Sequence, residues 1–434
     1  MLDALKTIIL DHQESVLPTG VPRRTDITPV AGKAAVCIGV RRSGKSTCLF
    51  QIMQRLVDSG ISRQNILYLN FFDDRLHPLH TERIGMVSDA YYSLYPGKKG
   101  LEKVYIFLDE IQMVAGWEPF VDRLLRTEEC DVYLTGSSAR MLSKEIATQM
   151  RGRALTWELF PFSFREFLDL RQVKGALPLS TKGQLLVRKG FDDFWECGGF
   201  PEVIPLERRL RLKIHQEYFH AILFRDLVER HDIPHPQAVR DLAYWLMDNI
   251  ASLYTVNSLT GYLKSRGHKA PKSAVAEYLE WFEDAYFLYT VRLYDASLSR
   301  SNANPKKIYC VDHGLVRSVA SGILVNSGHL LENLVFTALR RNHSQIFYYR
   351  TRNGREVDFI VLAPDGAKML VQVCESLADG ATRKRELTAL YEAIAELDCT
   401  TATIVTRNEE ETIEKDGRTV TVVPAWKWLL KQDE

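Results

Sequence analysis

The stretch Gly39-Val40-Arg41-Arg42-Ser43-Gly44-Lys45-Ser46-Thr47 constrains this chain more than any other. It follows an apolar run, Ala34-Ala35-Val36-Cys37-Ile38, that reads as a buried parallel strand, and it precedes Cys48 to Leu56, which has helical periodicity. Strand, G-x-x-x-x-G-K-S and helix in that order form a phosphate-binding loop. Gly39 and Gly44 let the backbone curl until its N–H groups converge, and the helix N-terminus adds partial positive charge at the same point. Arg41, Arg42 and Ser43 complete the loop. Lys45 is expected to reach the β- and γ-phosphates of ATP and the Ser46 hydroxyl to take a Mg²⁺ position, with Thr47 a weaker candidate one residue on.

A second apolar run, Val104 to Leu108, ends in Asp109-Glu110. Together with the loop, that pair predicts Asp109 as the Mg²⁺ carboxylate and Glu110 as the residue that orients and polarises the attacking water. Asn65 to Phe71 and Asp131 to Leu134 read as further buried strands. The latter runs into Thr135-Gly136-Ser137-Ser138, where a γ-phosphate sensor is expected: Ser137 first, Thr135 as the alternate, a plain strand-to-helix turn as the bland reading. Arg151 and Arg153 precede a fifth strand, Ala154 to Leu159. They would neutralise transition-state charge, in cis or from a neighbouring subunit, which leaves a homo-oligomer open; a surface salt bridge is the alternative. Alternating strands and helices imply an α/β doubly wound parallel sheet over residues 1–165. Upstream, Leu5, Ile8, Ile9 and Leu10 form an apolar helical face. Arg23-Arg24 lie in a loop that could cover the nucleotide or remain solvated.

The chain has 434 residues, 46% hydrophobic and 26% charged, with net charge +1. Those are the proportions of a folded multi-domain protein without a global basic field, so nucleic-acid contact would need a local patch. No run approaches the length of a membrane span, and Met1 to Lys6 lack a signal-peptide pattern. The seven scattered cysteines form no C-x-x-C and read as reduced core thiols of a cytoplasmic protein.

Beyond residue 165 the pattern turns helical. Residues 166–237 read as a lid on the nucleotide site. Residues 238–299 read as a winged-helix-like unit, with helices from Val256 and from Lys272 around a basic turn, Lys264, Arg266, His268, Lys269 and Lys272. The segment 256–282 would contact DNA phosphates, or it would only pack against a protein partner. Residues 300–434 give an αβββαβ order with Glu332 on the helix and Asp358 ahead of the third strand. That order resembles the PD-(D/E)xK nuclease core, which wants Glu-x-Lys where this chain has Gln372 and Cys374. Glu375 is out of phase by one residue, so it should face the other side.

With these stretches in place, the chain resembles the bacterial and archaeal AAA+ superfamily ATPases that join an ATPase module to a C-terminal domain of unknown function with a restriction-endonuclease-like core. The matching segments are Gly39 to Thr47, Leu108 to Gln112, Leu134 to Ala139, Trp157 to Phe167, Tyr218 to Leu227 and Gly354 to Phe359. The resemblance implies an AAA-type ATPase core, a winged-helix-like middle and a nuclease-like tail. Members commonly carry an acidic-x-lysine pair where Gln372 and Cys374 stand, so cleavage is not expected here. The expected activity is that of a Mg-dependent ATPase, a switch or remodeller acting with DNA. The rivals are a slow nucleotide switch signalling through protein partners and an ATP-gated nuclease.

Overall fold

The computed structural model describes every residue except 81–83, 137–149, 151, 176, 230, 232, 234–235, 322–325 and 433–434. The chain divides into two compact units, Met1–Phe160 and Pro161–Glu434.

The first unit is a five-stranded parallel sheet in the order β2-β3-β4-β1-β5. Its strands are β1 (Ala34–Ile38), β2 (Ile66–Asn70), β3 (Val104–Asp109), β4 (Cys130–Gly136) and β5 (Ala154–Glu158). The continuous apolar runs follow from burial on both faces: all five residues of β1 are buried, whereas the edge strand β5 is half-buried throughout. Helices α1 (Leu2–Glu14), α2 (Lys45–Asp58), α3 (Met86–Leu94) and α4 (Trp117–Thr127) belong to this unit. Helix α1 buries Leu5, Ile8 and Ile9, but Leu10 is exposed, because a step of about 100° per residue carries it off the stripe the other three share. Because β1 lies beside β4, and β4 beside β3, the carboxyl ends of three strands converge at the end of β1. This is the crevice in which open α/β sheets bind ligands.

The second unit is built on a nine-stranded mixed sheet, β13-β14-β12-β11-β10-β9-β7-β8-β6. The helix Pro236–Asp248, β6 (Leu253–Tyr254), the helices Val256–Ser265 and Lys272–Asp284, β7 (Leu288–Leu293) and β8 (Lys306–Cys310) follow one another. β8 is antiparallel to both β6 and β7. The αβββαβ order is also present: the helix Ser327–Asn342, β9 (Ile346–Arg350), β10 (Glu356–Leu362), β11 (Lys368–Val373), the helix Gly380–Leu397 and β12 (Thr401–Thr406). The strands β13 (Glu411–Lys415) and β14 (Arg418–Pro424) and the helix Ala425–Gln432 extend it beyond the sequence reading.

The division expected from the sequence differs from these units. The expected boundary between 299 and 300 falls between two paired strands, β7 and β8, and β7 also runs parallel to β9. Lys306-Lys307 at the start of β8 hid a strand whose remaining three residues are apolar. Residues expected as a lid lie in the second unit, which begins at Pro161.

Candidate nucleotide site

The loop after β1 has the backbone a phosphate cradle needs. A Cβ at Gly39, where φ is 143°, would sit 2.2 Å from the Leu159 carbonyl oxygen, so only glycine fits. Gly44 caps α2 in the left-handed region at φ 96°, and Arg42, at φ 65°, accepts the same region without glycine's freedom. The Lys45 ammonium is buried and turns back on the loop, donating to the carbonyls of Gly39 (3.1 Å) and Val40 (3.0 Å). Ser43 is fully buried, and its hydroxyl has no hydrogen-bond partner among the described residues. A curled loop that holds a buried ammonium and an orphan hydroxyl suits an oxyanion. Arg41 lies 5.9 Å from the Phe72 ring, and Arg42 is exposed. The Thr47 methyl faces Gly20, 3.6 Å from where a Cβ would stand there.

Asp109, at the end of β3, has no exposed surface. Its carboxylate accepts from the hydroxyls of Ser46, Thr135 and Tyr68, the last at 2.9 Å. Burial pushes its pKa up, against the pull of the Ser46 and Thr135 hydroxyls. A buried carboxylate ringed by neutral hydroxyls fits a divalent cation, with Ser46 and Asp109 as the residues to hold it. Glu110 follows in the left-handed region at φ 57°. Its N–H donates to the Thr135 hydroxyl (2.9 Å), and its carboxylate accepts from the Gln112 amide. One hydroxyl, Thr135 Oγ1, therefore ties both acidic residues to β4.

Among the sequence-read candidates, the loop residues, Asp109, Glu110 and Thr135 converge. Ser137 and Arg151 lie outside the described residues. Within the chain, Arg153 takes the salt-bridge alternative. Its backbone carbonyl accepts from Ala34 N–H at 2.9 Å, at the start of β1, and its guanidinium stands 3.5 Å from Asp122. Ala34 pairs with Ala154 and Ile38 with Glu158, so Arg153 sits at the opposite end of β1 from the loop. Four residues of strand is about 13 Å. Within its own chain Arg153 is a half-exposed salt-bridge residue.

Two contributors were not singled out for these roles from the sequence. Tyr68, on β2, donates to Asp109 and stacks on His12 of α1 with ring centroids 4.2 Å apart. Arg23 donates to the carbonyls of Ser43 (2.6 Å) and Phe160 (2.7 Å), bracing the loop from the preceding segment. The continuous apolar run of β2 hints at Tyr68's burial but not at its partner.

A phosphate loop facing a buried acidic pair at the end of β3, two strands away, defines the class: the first unit is a P-loop module of the AAA type. The family model "AAA domain" matches residues 31–168. Two models described as domains of unknown function, DUF8612 and DUF4143, match 188–324 and 327–428. The chain is 32% identical over 434 residues to the uncharacterized protein MJ1544 of Methanocaldococcus jannaschii, covering 98% of this chain and 94% of that protein. It belongs to that protein's family. An uncharacterized Haemophilus influenzae protein is 29% identical over 400 residues, covering 91% of this chain and 94% of its own. Among solved structures, the Aeropyrum pernix ORC1 protein in complex with DNA aligns with 12% identity and a TM-score of 0.31, over 73% of this chain and 92% of that one. That overlap carries no argument.

In the second unit the structure resolves the nuclease-like residues differently from a metal centre. Glu332 and Asp358 both accept from the Lys307 ammonium of β8, at 2.8 and 2.9 Å. Gln372 accepts from the Asp358 N–H at 3.1 Å and donates to Glu386 at 2.8 Å. The register of β10 against β9 shifts between Val357 and Ile360, and Asp358 lies in that irregular stretch.

In the basic turn, Arg266 and His268 are drawn to Asp241 (3.8 and 2.9 Å), while Lys264, Lys269 and Lys272 are exposed. The exposed positions of the following helix include Glu277 and Glu280. No described helix is long and apolar enough to cross a membrane.

Proposed function

We propose that the first unit binds MgATP and hydrolyses it, and that the protein works as an ATP-driven switch or remodeller. The observation that carries this reading is the convergence of the loop, Ser46, Asp109, Glu110 and Thr135 at one end of the sheet. The loop N–H groups and Lys45 hold the phosphates, and Lys45 exchanges its two carbonyl partners for phosphate oxygens. Ser46 and Asp109 hold the metal. Bound there, Mg²⁺ would supply positive charge against the charge that develops on the phosphate oxygens. Glu110 orients the attacking water, with its backbone fixed by Thr135 and its carboxylate steadied by Gln112.

The exposed lysines of the turn favour a nucleic-acid phosphate backbone as the partner. Glu277 and Glu280 disfavour insertion of the second helix into a groove, so contact runs through Lys264, Lys269 and Lys272 rather than through the whole segment 256–282. The same two glutamates favour the second reading, a slow nucleotide switch that signals through a protein surface. Turnover of the purified chain with and without duplex DNA separates the two. Glu110→Gln serves as the reference in both conditions: it should retain ATP and lose turnover. Turnover unaffected by Glu110→Gln would overturn the hydrolytic assignment, and turnover indifferent to DNA would favour the protein switch.

A further inference from the structure

The nuclease-like centre of the second unit already contains a cation. Lys307 is 2% exposed, and its ammonium lies 2.8 Å from Glu332 Oε1, 2.8 Å from Glu356 Oε1 and 2.9 Å from Asp358 Oδ1. The ammonium donates hydrogen bonds to Glu332 and Asp358, and Glu356 completes the cluster as an ion pair. Further donors stand around the three carboxylates. Tyr309 donates to Glu332 Oε1 at 2.7 Å, Val373 N–H donates to Asp358 Oδ2 at 2.9 Å, and Arg350 stands 3.7 Å from Glu356 Oε2. Burial alone would drive a lysine neutral, but Asp358 and Glu332 outweigh it and hold the ammonium charged. Burial and Asp358 push Glu332 up to about 7, against the pull of Lys307.

We propose that the Lys307 ammonium is the resident cation of this carboxylate centre, so that the native chain takes no divalent metal there and a divalent cation enters once the ammonium is removed. The spacing supports this. Nitrogen-to-oxygen distances of 2.8–2.9 Å suit an ammonium, whereas Mg²⁺ wants oxygens at about 2.0–2.1 Å. The two positions that would complete a metal-dependent nuclease centre are Gln372 and Cys374. Gln372 is spent on the Asp358 N–H and Glu386, and the Cys374 thiol donates to the Ser376 carbonyl. Glu375 makes none of the contacts among Lys307, Glu332, Glu356 and Asp358. These carboxylates are thus held by an internal salt, with the balancing positive charge supplied by β8.

Mn²⁺ is the probe, counted by electron paramagnetic resonance on the nucleotide-free full-length chain, with Asp109→Asn in every sample to remove the first unit's site. The native second unit should bind no Mn²⁺ that Asp358→Asn abolishes. Lys307→Ala should gain one Mn²⁺ per chain and lose it again in Lys307→Ala/Asp358→Asn. If Lys307→Ala alone does not fold, Lys307→Met keeps the stem and only removes the charge. With either variant, Mn²⁺ should raise the unfolding temperature, and it should leave that of the native centre unchanged. Asp358-dependent Mn²⁺ binding by the chain that retains Lys307 would overturn the proposal. So would a folded Lys307 variant that gains no Mn²⁺.

Discussion

Replacing Thr135 with Val tests the site at its least redundant point. The hydroxyl has no exposed surface, donates to Asp109 and accepts from the Glu110 N–H. Valine keeps the shape and removes both bonds. Orphaning the buried N–H costs about 1–3 kcal/mol, and a hydrogen bond to a charged group is worth about 1.5–3 kcal/mol. The phosphates are held by the loop, so nucleotide affinity should change by less than about threefold, a shift of under 1 kcal/mol. The loss should fall on hydrolysis, because Glu110 is held in the left-handed region by the bond that valine deletes. If about 1.5–3 kcal/mol of orientation is lost, turnover falls about 10- to 150-fold. Single-turnover hydrolysis, a fluorescent-nucleotide titration and a thermal melt read the three quantities separately. Thr135→Ser restores the hydroxyl and should restore turnover. Native turnover in Thr135→Val would refute the reasoning, as would a serine variant no better than valine.

Two further outcomes follow from the geometry. Burial, then Arg63, lowers the His12 pKa from 6.5 to about 4, so above pH 6.5 both folded and unfolded chains carry it neutral. As pH falls from 6.5 through 4 the unfolded chain gains the proton first, and stability is lost by up to about 3 kcal/mol. His12→Phe keeps the stack on Tyr68, so urea unfolding should show a shallower acid loss over that window, and an unchanged profile would contradict the assignment. Replacing Lys264, Lys269 and Lys272 with Ala should weaken DNA binding to all sequences and flatten the log–log salt slope by about two to three units while leaving ATP affinity alone. DNA binding indifferent to that change would remove the turn from the interface.

What the sequence reveals depends on whether a feature is local. The loop is contiguous and Asp109-Glu110 ends a single apolar run, so their chemistry could be read in one dimension. Tyr68 and Asp109 are 41 positions apart and meet only because β2 pairs with β3 in register, Leu69 opposite Leu108. Which of Arg153's two readings applies within its own chain was not legible either: nearness to a strand says nothing of which end of the sheet a residue occupies. Nothing local to Lys306-Lys307 marks Lys307 for burial, and only the pairing of β8 in the nine-stranded sheet accompanies its burial against Glu332, Glu356 and Asp358. The hairpin of β13 and β14 escaped because its edge strand, Glu411–Lys415, has no buried residue and therefore no apolar pattern to read.

The central claim is that the loop after β1 holds the phosphates of ATP, and the Lys45→Ala titration tests it most directly. In the native chain the ammonium is buried and loosely served by two carbonyls at 3.0 and 3.1 Å, so it is available to a better acceptor. Losing one charge-assisted hydrogen bond of about 1.5–3 kcal/mol predicts roughly 10- to 150-fold weaker MgATP binding in a variant that still melts cooperatively. MgATP affinity unchanged in a folded Lys45→Ala chain would contradict the account.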